Sequence, residues 1–182
     1  METLEILRTG FVAFIDGLWW GLRDNVGALS MYEGFSSAFK QMGKEIAQLS
    51  GGKGPQDGAR IAALAMNAIG LDVGQEGNKV TVRSCPIWNR ILERGLEYAF
   101  HIEEICWLPM MQGIGEVVGA KPSCDASLRR IHLEKAKVEY KVSKAEEAAK
   151  QGRITQEELQ KQLATLKDSL KQLPAAGGYH FG

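Results

Sequence analysis

Lys79-Val-Thr-Val-Arg-Ser-Cys-Pro-Ile-Trp88 is the stretch on which the reading of the fold turns. Val80 and Val82 alternate with Thr81 and Arg83, the period-two pattern of a half-buried strand. Cys85 falls at the end of that strand. Pro86, whose missing N–H is harmless at a first helical position, opens a helix. Upstream, Leu71-Asp-Val forms a second short strand, and Gly74-Gln-Glu-Gly-Asn78 between the two is hairpin chemistry. The expected fold is α+β: a helical N-terminal half, a small antiparallel sheet with packed helices, and a C-terminal helical appendage.

Working outward to the N-terminus, Leu4 to Arg23 has the spacing of a helix, with Ile6, Phe11, Phe14, Ile15 and Leu18 on a broad apolar face. Trp19 and Trp20 sit near its end, and Asp24-Asn25-Val26-Gly27 is a turn. Ser30 and Glu33 have capping-box spacing for a second helix carrying Phe35, Phe39, Met42, Ile46 and Leu49. Ser50-Gly-Gly-Lys-Gly-Pro55 has the glycines and lysine of an anion cradle. It lacks the Gly-x-x-x-x-Gly-Lys-Ser/Thr order and a preceding strand, so it is an inter-helix loop. A third helix, Gln56 to Ile69, turns Ile61, Leu64, Ala65 and Ala68 inward and stops at Gly70.

Beyond Cys85 a helix is expected from Ile87 to about Phe100, with Ile91, Leu92, Leu96 and Tyr98 for packing. Another runs from Ile102 towards Val118, kinked at Pro109. Gly113, Gly115 and Gly119 in its second half permit close approach of a neighbouring backbone or ligand. After Cys124 the composition shifts. Alternation of Val138, Tyr140 and Val142 predicts a strand over Lys137 to Val142. Thr155 and Glu158 form a capping box for a last helix, in which Leu159, Leu163, Leu166, Leu170 and Leu173 make a heptad seam. Pro174 ends it, and Ala175 to Gly182 reads as a loose tail. Two domains are expected, residues 1–143 and a charged extension over 144–182.

Lys+Arg and Asp+Glu both number 22, so no net charge draws the chain to nucleic acid or anionic membrane. Arg129-Arg130 is the one adjacent basic pair, with no aromatic interleaving. The apolar run Gly10 to Leu22 is broken by Asp16 and is too short for a bilayer. Three cysteines are too few, and odd, for a secreted disulfide scaffold. A cytoplasmic protein with reduced thiols is the expectation.

The rare residues converge between Val80 and Cys124. At a strand end and helix start, backbone amides favour a thiolate, so Cys85 is a candidate nucleophile, with His101 or His132 as its base. Glu103 and Cys106 are three apart on one helical face. With Cys85 and Cys124 they make a four-donor set suited to tetrahedral zinc, with His101 as a substitute. Twenty residues separate the first pair of cysteines and seventeen the second, which is not a zinc-knuckle spacing. Inert core cysteines are the competing reading. Trp19, Trp88, Tyr98, Phe100 and Trp107 are candidates to line an apolar pocket, or to be core.

The helical N-terminal half, the Gly-rich hairpin, Val-x-Val-x-x-Cys85-Pro86, Glu103-x-x-Cys106-Trp107 and Gly113-x-Gly115-x-x-x-Gly119 together resemble the 4-vinyl reductase domain family. That family includes hydrocarbon-binding proteins and aromatic-sensor domains. The Cys-Pro followed by a lone Cys is also similar to thiazoline-carboxylate hydrolase-like proteins. The resemblance covers roughly residues 1–143. It implies an α/β domain, often dimeric, enclosing a small apolar ligand. It also implies a structural zinc on Cys106 and Cys124, with Glu103 or Cys85 as further ligands. The chain departs from the pattern after Cys124, where the family's closing acid-x-x-Cys…Cys element is not found.

The expected protein binds a small apolar or aromatic molecule beside a cysteine-based metal or thiol site. The alternatives are a thiol- or metal-dependent enzyme acting on a small organic molecule, and an assembly subunit. In the last, the leucine seam at 159, 163, 166, 170 and 173 would serve a homodimer or a partner protein.

Overall fold

The computed structural model describes residues 3–182. The fold is α+β, with a four-stranded antiparallel sheet of order β1-β2-β4-β3 among seven α-helices and one π turn. β1 (Asp72–Glu76) and β2 (Lys79–Ser84) form the expected hairpin, closed at Gly77-Asn78. Val80 and Val82 point into the core while Thr81 and Arg83 face out. β3 is Pro122–Ala126 and β4 is Gly177–Phe181.

Three helices precede the hairpin. In α1 (Thr3–Val26) only Ile15 and Trp19 are fully buried, while Ile6 and Phe14 of the expected inner face are more than half exposed. The apolar stripe is wider than the surface the rest of the chain offers it. α2 (Ala28–Ser50) starts two residues ahead of Ser30. Gly27, at φ 81°, makes the break, and no side chain caps the helix. The Ser30–Glu33 capping box is therefore absent. Met31, Phe35, Phe39, Gly43 and Ala47 form its buried stripe, and Leu49 faces outward. In α3 (Gly54–Ala68) Ile61 and Ala65 are inside as expected, but Leu64 is exposed and its place is taken by Ala62 and Met66. Gly70 ends α3 in a Schellman motif, with Gly70 N bonded to Asn67 O and Leu71 N to Met66 O.

α4 is short, Pro86–Glu93, where a helix to Phe100 was expected. Gly95, at φ 65°, again completes a Schellman motif, with Leu96 N bonded to Ile91 O, and the apolar residues beyond it lie on an irregular segment. Pro109 does not kink a continuous helix. Residues Glu103–Trp107 widen into a π turn, in which Leu108 N bonds Glu103 O, and α5 (Leu108–Val118) follows with Pro109 in its first turn. A proline ring collides with the carbonyl four residues back, and the wider turn relieves that collision. α5 runs through the core and crosses α2 closely. A Cβ on Gly43 would overlap the Met110 carbonyl, and one on Gly113 the Lys40 carbonyl.

The largest departures come after Cys124. Cys124 lies on β3. Lys137–Val142 is not a strand but the middle of α6 (Leu128–Lys150). Lys, Glu and Ala dominate that segment and favour helix. Ile131, Val138, Val142 and Ala145 recur at steps of seven, four and three, a helical stripe. α7 (Gln156–Lys171) begins at the expected Thr155 capping box, with Thr155 N on Glu158 Oε2 at 2.8 Å and Glu158 N on Thr155 Oγ1 at 3.2 Å. Ala175–Gly182 is no loose tail. It contains β4, an interior strand paired to both β2 and β3, with Tyr179 and Phe181 buried.

By mutual contact the chain divides into two units, at points other than residue 143. One runs up to Arg129 and includes Ala176–Gly182; the other is Arg130–Ala175. The second unit is thus inserted between two neighbouring strands. Ala126 and Gly178 are register partners, so the chain leaves the sheet and returns to it at one place.

Candidate functional site

Cys85 occupies the N-cap of α4. Its sulfur accepts from Trp88 N at 3.4 Å, from Ile87 N and from the Trp107 indole. These three donors favour a thiolate, as the sequence expected, but Cys85 is 1% exposed and desolvation outweighs them. Its thiol is pushed up to about 12. Burial likewise drives the Cys106 thiol far above its ordinary range, with Cys85 and Glu103 adding to the effect. Both are protonated core thiols at neutral pH, and all three cysteines are free. His101 directs Nε2 at the Tyr98 carbonyl, 3.2 Å away, and stacks near Tyr32. His101 makes no hydrogen bond to Cys85.

Glu103, on the π turn, is buried among these groups. Its Oε1 accepts from Arg129 N at 3.3 Å, while Oε2 has no hydrogen-bond partner. Burial raises its carboxyl above the usual carboxylate range. Cys85, Cys106 and Glu103 lie close enough to influence one another, and Tyr179 of β4 feels Glu103, Cys124 and Cys85. Proximity is not coordination. Among the described residues no group of three or more His, Cys, Asp or Glu side chains is arranged to hold a metal ion.

The aromatic candidates separate. The Trp19 and Phe100 rings lie 4.2 Å apart, tilted by 31°, Phe35 packs edge-on against both, and Phe39 meets Trp107 edge-on at 5.6 Å. Trp88 and Trp107 are core residues, and Tyr98 is two-thirds exposed. A small void of about 10 Å³ is lined by Val12, Ile15, Trp19, Ile91, Leu96 and Phe100. That is room for about one water. The Trp19 indole N–H is buried without an acceptor.

An open cleft of about 400 Å³ adjoins this void and shares Val12 and Arg90 with it. Its floor is Val12, Ala13 and Pro86, and its rim is Arg8, Thr9, Arg90 and Glu93. Both guanidiniums are held in place. Arg8 donates to the last carbonyls of α3, Asn67 O at 2.7 Å and Ala68 O at 3.1 Å. Arg90 lies 3.0 Å from Glu93 and 3.5 Å from Asp16. Sequence reasoning missed this cleft, because its walls come from α1, Gly70 and α4, which only the fold brings together.

A second group was also missed. Ser123 and His180 are register partners on β3 and β4, and Asp125 lies two residues on, its Oδ1 2.8 Å from His180 Nδ1. Ser123 Oγ is 2.9 and 3.1 Å from the two imidazole nitrogens. An oxygen nearly equidistant from both lies against the ring between them rather than in line with one lone pair, as an activated serine would. The trio joins β3 to β4 across the sheet surface.

Comparison with family models, curated proteins and solved structures returned no match. Among the described residues no helix is long and apolar enough to cross a membrane.

Proposed function

We propose that the protein binds a small, mostly apolar aromatic molecule in the cleft between α1 and α4, and that its buried thiols are structural. The observation that carries this reading is that the 400 Å³ cleft and the void at Trp19 and Phe100 share Val12 and Arg90 in their walls. The cleft lies within the usual size range of small-molecule sites, roughly 300–1,000 Å³. The Trp19 indole N–H is buried without an acceptor, which costs about 1–3 kcal/mol until one is supplied. A ligand whose ring enters beside Trp19 and whose oxygen accepts that N–H would recover this cost. The resemblance to hydrocarbon-binding and aromatic-sensor domains points to the same ligand class.

Calorimetric titration with p-cresol tests the reading. Saturable binding of one molecule per chain is expected, with Trp19 fluorescence changing in parallel. Val12→Trp, which fills the cleft floor, should weaken binding at least tenfold without lowering the melting temperature. Absence of binding up to millimolar p-cresol, or binding indifferent to Val12→Trp, would refute it.

A further inference from the structure

The inserted unit has a surface of its own. α6 and α7 are joined by a five-residue connection, and only Ile131, Ala145 and Leu159 of Arg130–Ala175 are fully buried. The leucine seam does not form a closed core: Leu163, Leu166, Leu170 and Leu173 all remain partly exposed. Between the two helices runs a groove of about 620 Å³ with Ala145, Ala148, Ile154 and Leu166 along its bottom. Every charged side chain lining it is a lysine: Lys141, Lys144 and Lys161. Lys144 is tied to Glu147 at 2.8 Å by an exposed pair and lies over the Tyr140 ring. Such exposed i,i+3 pairs are worth little and exchange easily.

The charge of the whole unit agrees with its groove. Arg130–Ala175 carries ten Lys/Arg against seven Asp/Glu, while the rest of the chain carries twelve against fifteen. The even balance of the full sequence conceals a basic insertion in an acidic body.

We propose that this groove docks an acidic amphipathic helix of a partner protein, completing a three-helix unit. A two-helix hairpin cannot bury its apolar faces, and a third helix laid into the groove covers them. The occupant is acidic because every charged side chain on the rim is a lysine. A second copy presenting the same groove across a two-fold axis would set lysines against lysines, which disfavours self-association here. The groove extends from Tyr140 to Ala148 along α6, a rise of about 12 Å, so the partner contributes roughly two turns. Its apolar residues would stand at i, i+3 or i+4, with Asp or Glu flanking them.

The test uses the full chain and two fluorescein-labelled 18-residue helical peptides with the same leucine stripe, one with glutamates flanking it and one with lysines. The glutamate peptide is expected to bind, and to weaken about tenfold between 50 and 500 mM salt as the rim charges are screened. Lys141→Glu/Lys144→Glu/Lys161→Glu should lose at least tenfold for the glutamate peptide and gain the lysine one. Ala148→Glu, which blocks the floor, should abolish binding of both, and p-cresol binding should be unchanged in every variant. Equal binding of the two peptides, or binding that survives Ala148→Glu, overturns the proposal. So does a dimer by sedimentation that the triple variant dissolves, or groove-dependent capture of phosphatidylcholine/phosphatidylserine vesicles without peptide binding.

Discussion

Cys85 accepts hydrogen bonds from three N–H groups and remains a weak acid, because removal from water costs its thiolate more than those donors return. The sequence made the donors legible: a cysteine before proline at a strand-to-helix junction faces helix N–H groups. It could not show the depth of burial, to which Trp107 of the distant π turn contributes. At pH 8, therefore, a disulfide reagent should label the native chain at most once, at the half-buried Cys124, and three times in denaturant. The sign for stability follows from a folded value raised from 9.0 to about 12. The thiol's contribution is present below pH 9 and is lost as pH rises from 9 through 12. Cys85→Ala should flatten that alkaline loss in urea titrations. Glu103 obeys the same rule at lower pH. Its raised carboxyl favours the fold while protonated, and that contribution is lost as pH climbs through and above the ordinary carboxylate range. Glu103→Gln should consequently stabilise the protein at pH 8 relative to pH 5, by about 1–3 kcal/mol, the scale of one buried unsatisfied group.

Elements were readable where the local signal and the tertiary environment agreed. The β1–β2 hairpin, the proline opening α4 and the Thr155 capping box all lie where their residues place them. Gly113 was readable as a site of close approach, and its partner proves to be the α2 backbone at Lys40. Alternation misled at Val138-Glu-Tyr-Lys-Val142, because a run this short satisfies a strand and, with Ile131 and Ala145, a helix. Gly95 in an otherwise apolar helical pattern was the overlooked stop signal of α4. Gly43→Ala or Gly113→Ala should each destabilise the fold by at least about 2 kcal/mol, since the added methyl meets a carbonyl that neither helix can move without losing packing. Chemical denaturation measures this; Gly17→Ala, where a Cβ meets nothing, is the control and should be neutral or slightly stabilising.

At the scale of the molecule, the chain is a sheet-and-helix body interrupted by a basic helical insertion. β4 was illegible because its pairing partners stand about 50 residues earlier in β3 and nearly 100 earlier in β2. The alternation Gly177, Tyr179, Phe181 on the buried face was the available signal, masked by its place after Pro174 at the end of the chain. Removing residues 176–182 should abolish cooperative unfolding, since it deletes an interior strand. Removing the insertion should not. The most direct measurement replaces Arg130–Ala175 by a short Gly-Ser linker and titrates the product with p-cresol and with the glutamate peptide. A cooperative melt, unchanged p-cresol affinity and complete loss of peptide binding are predicted. Loss of p-cresol binding, or peptide binding that persists without the hairpin, would contradict the account.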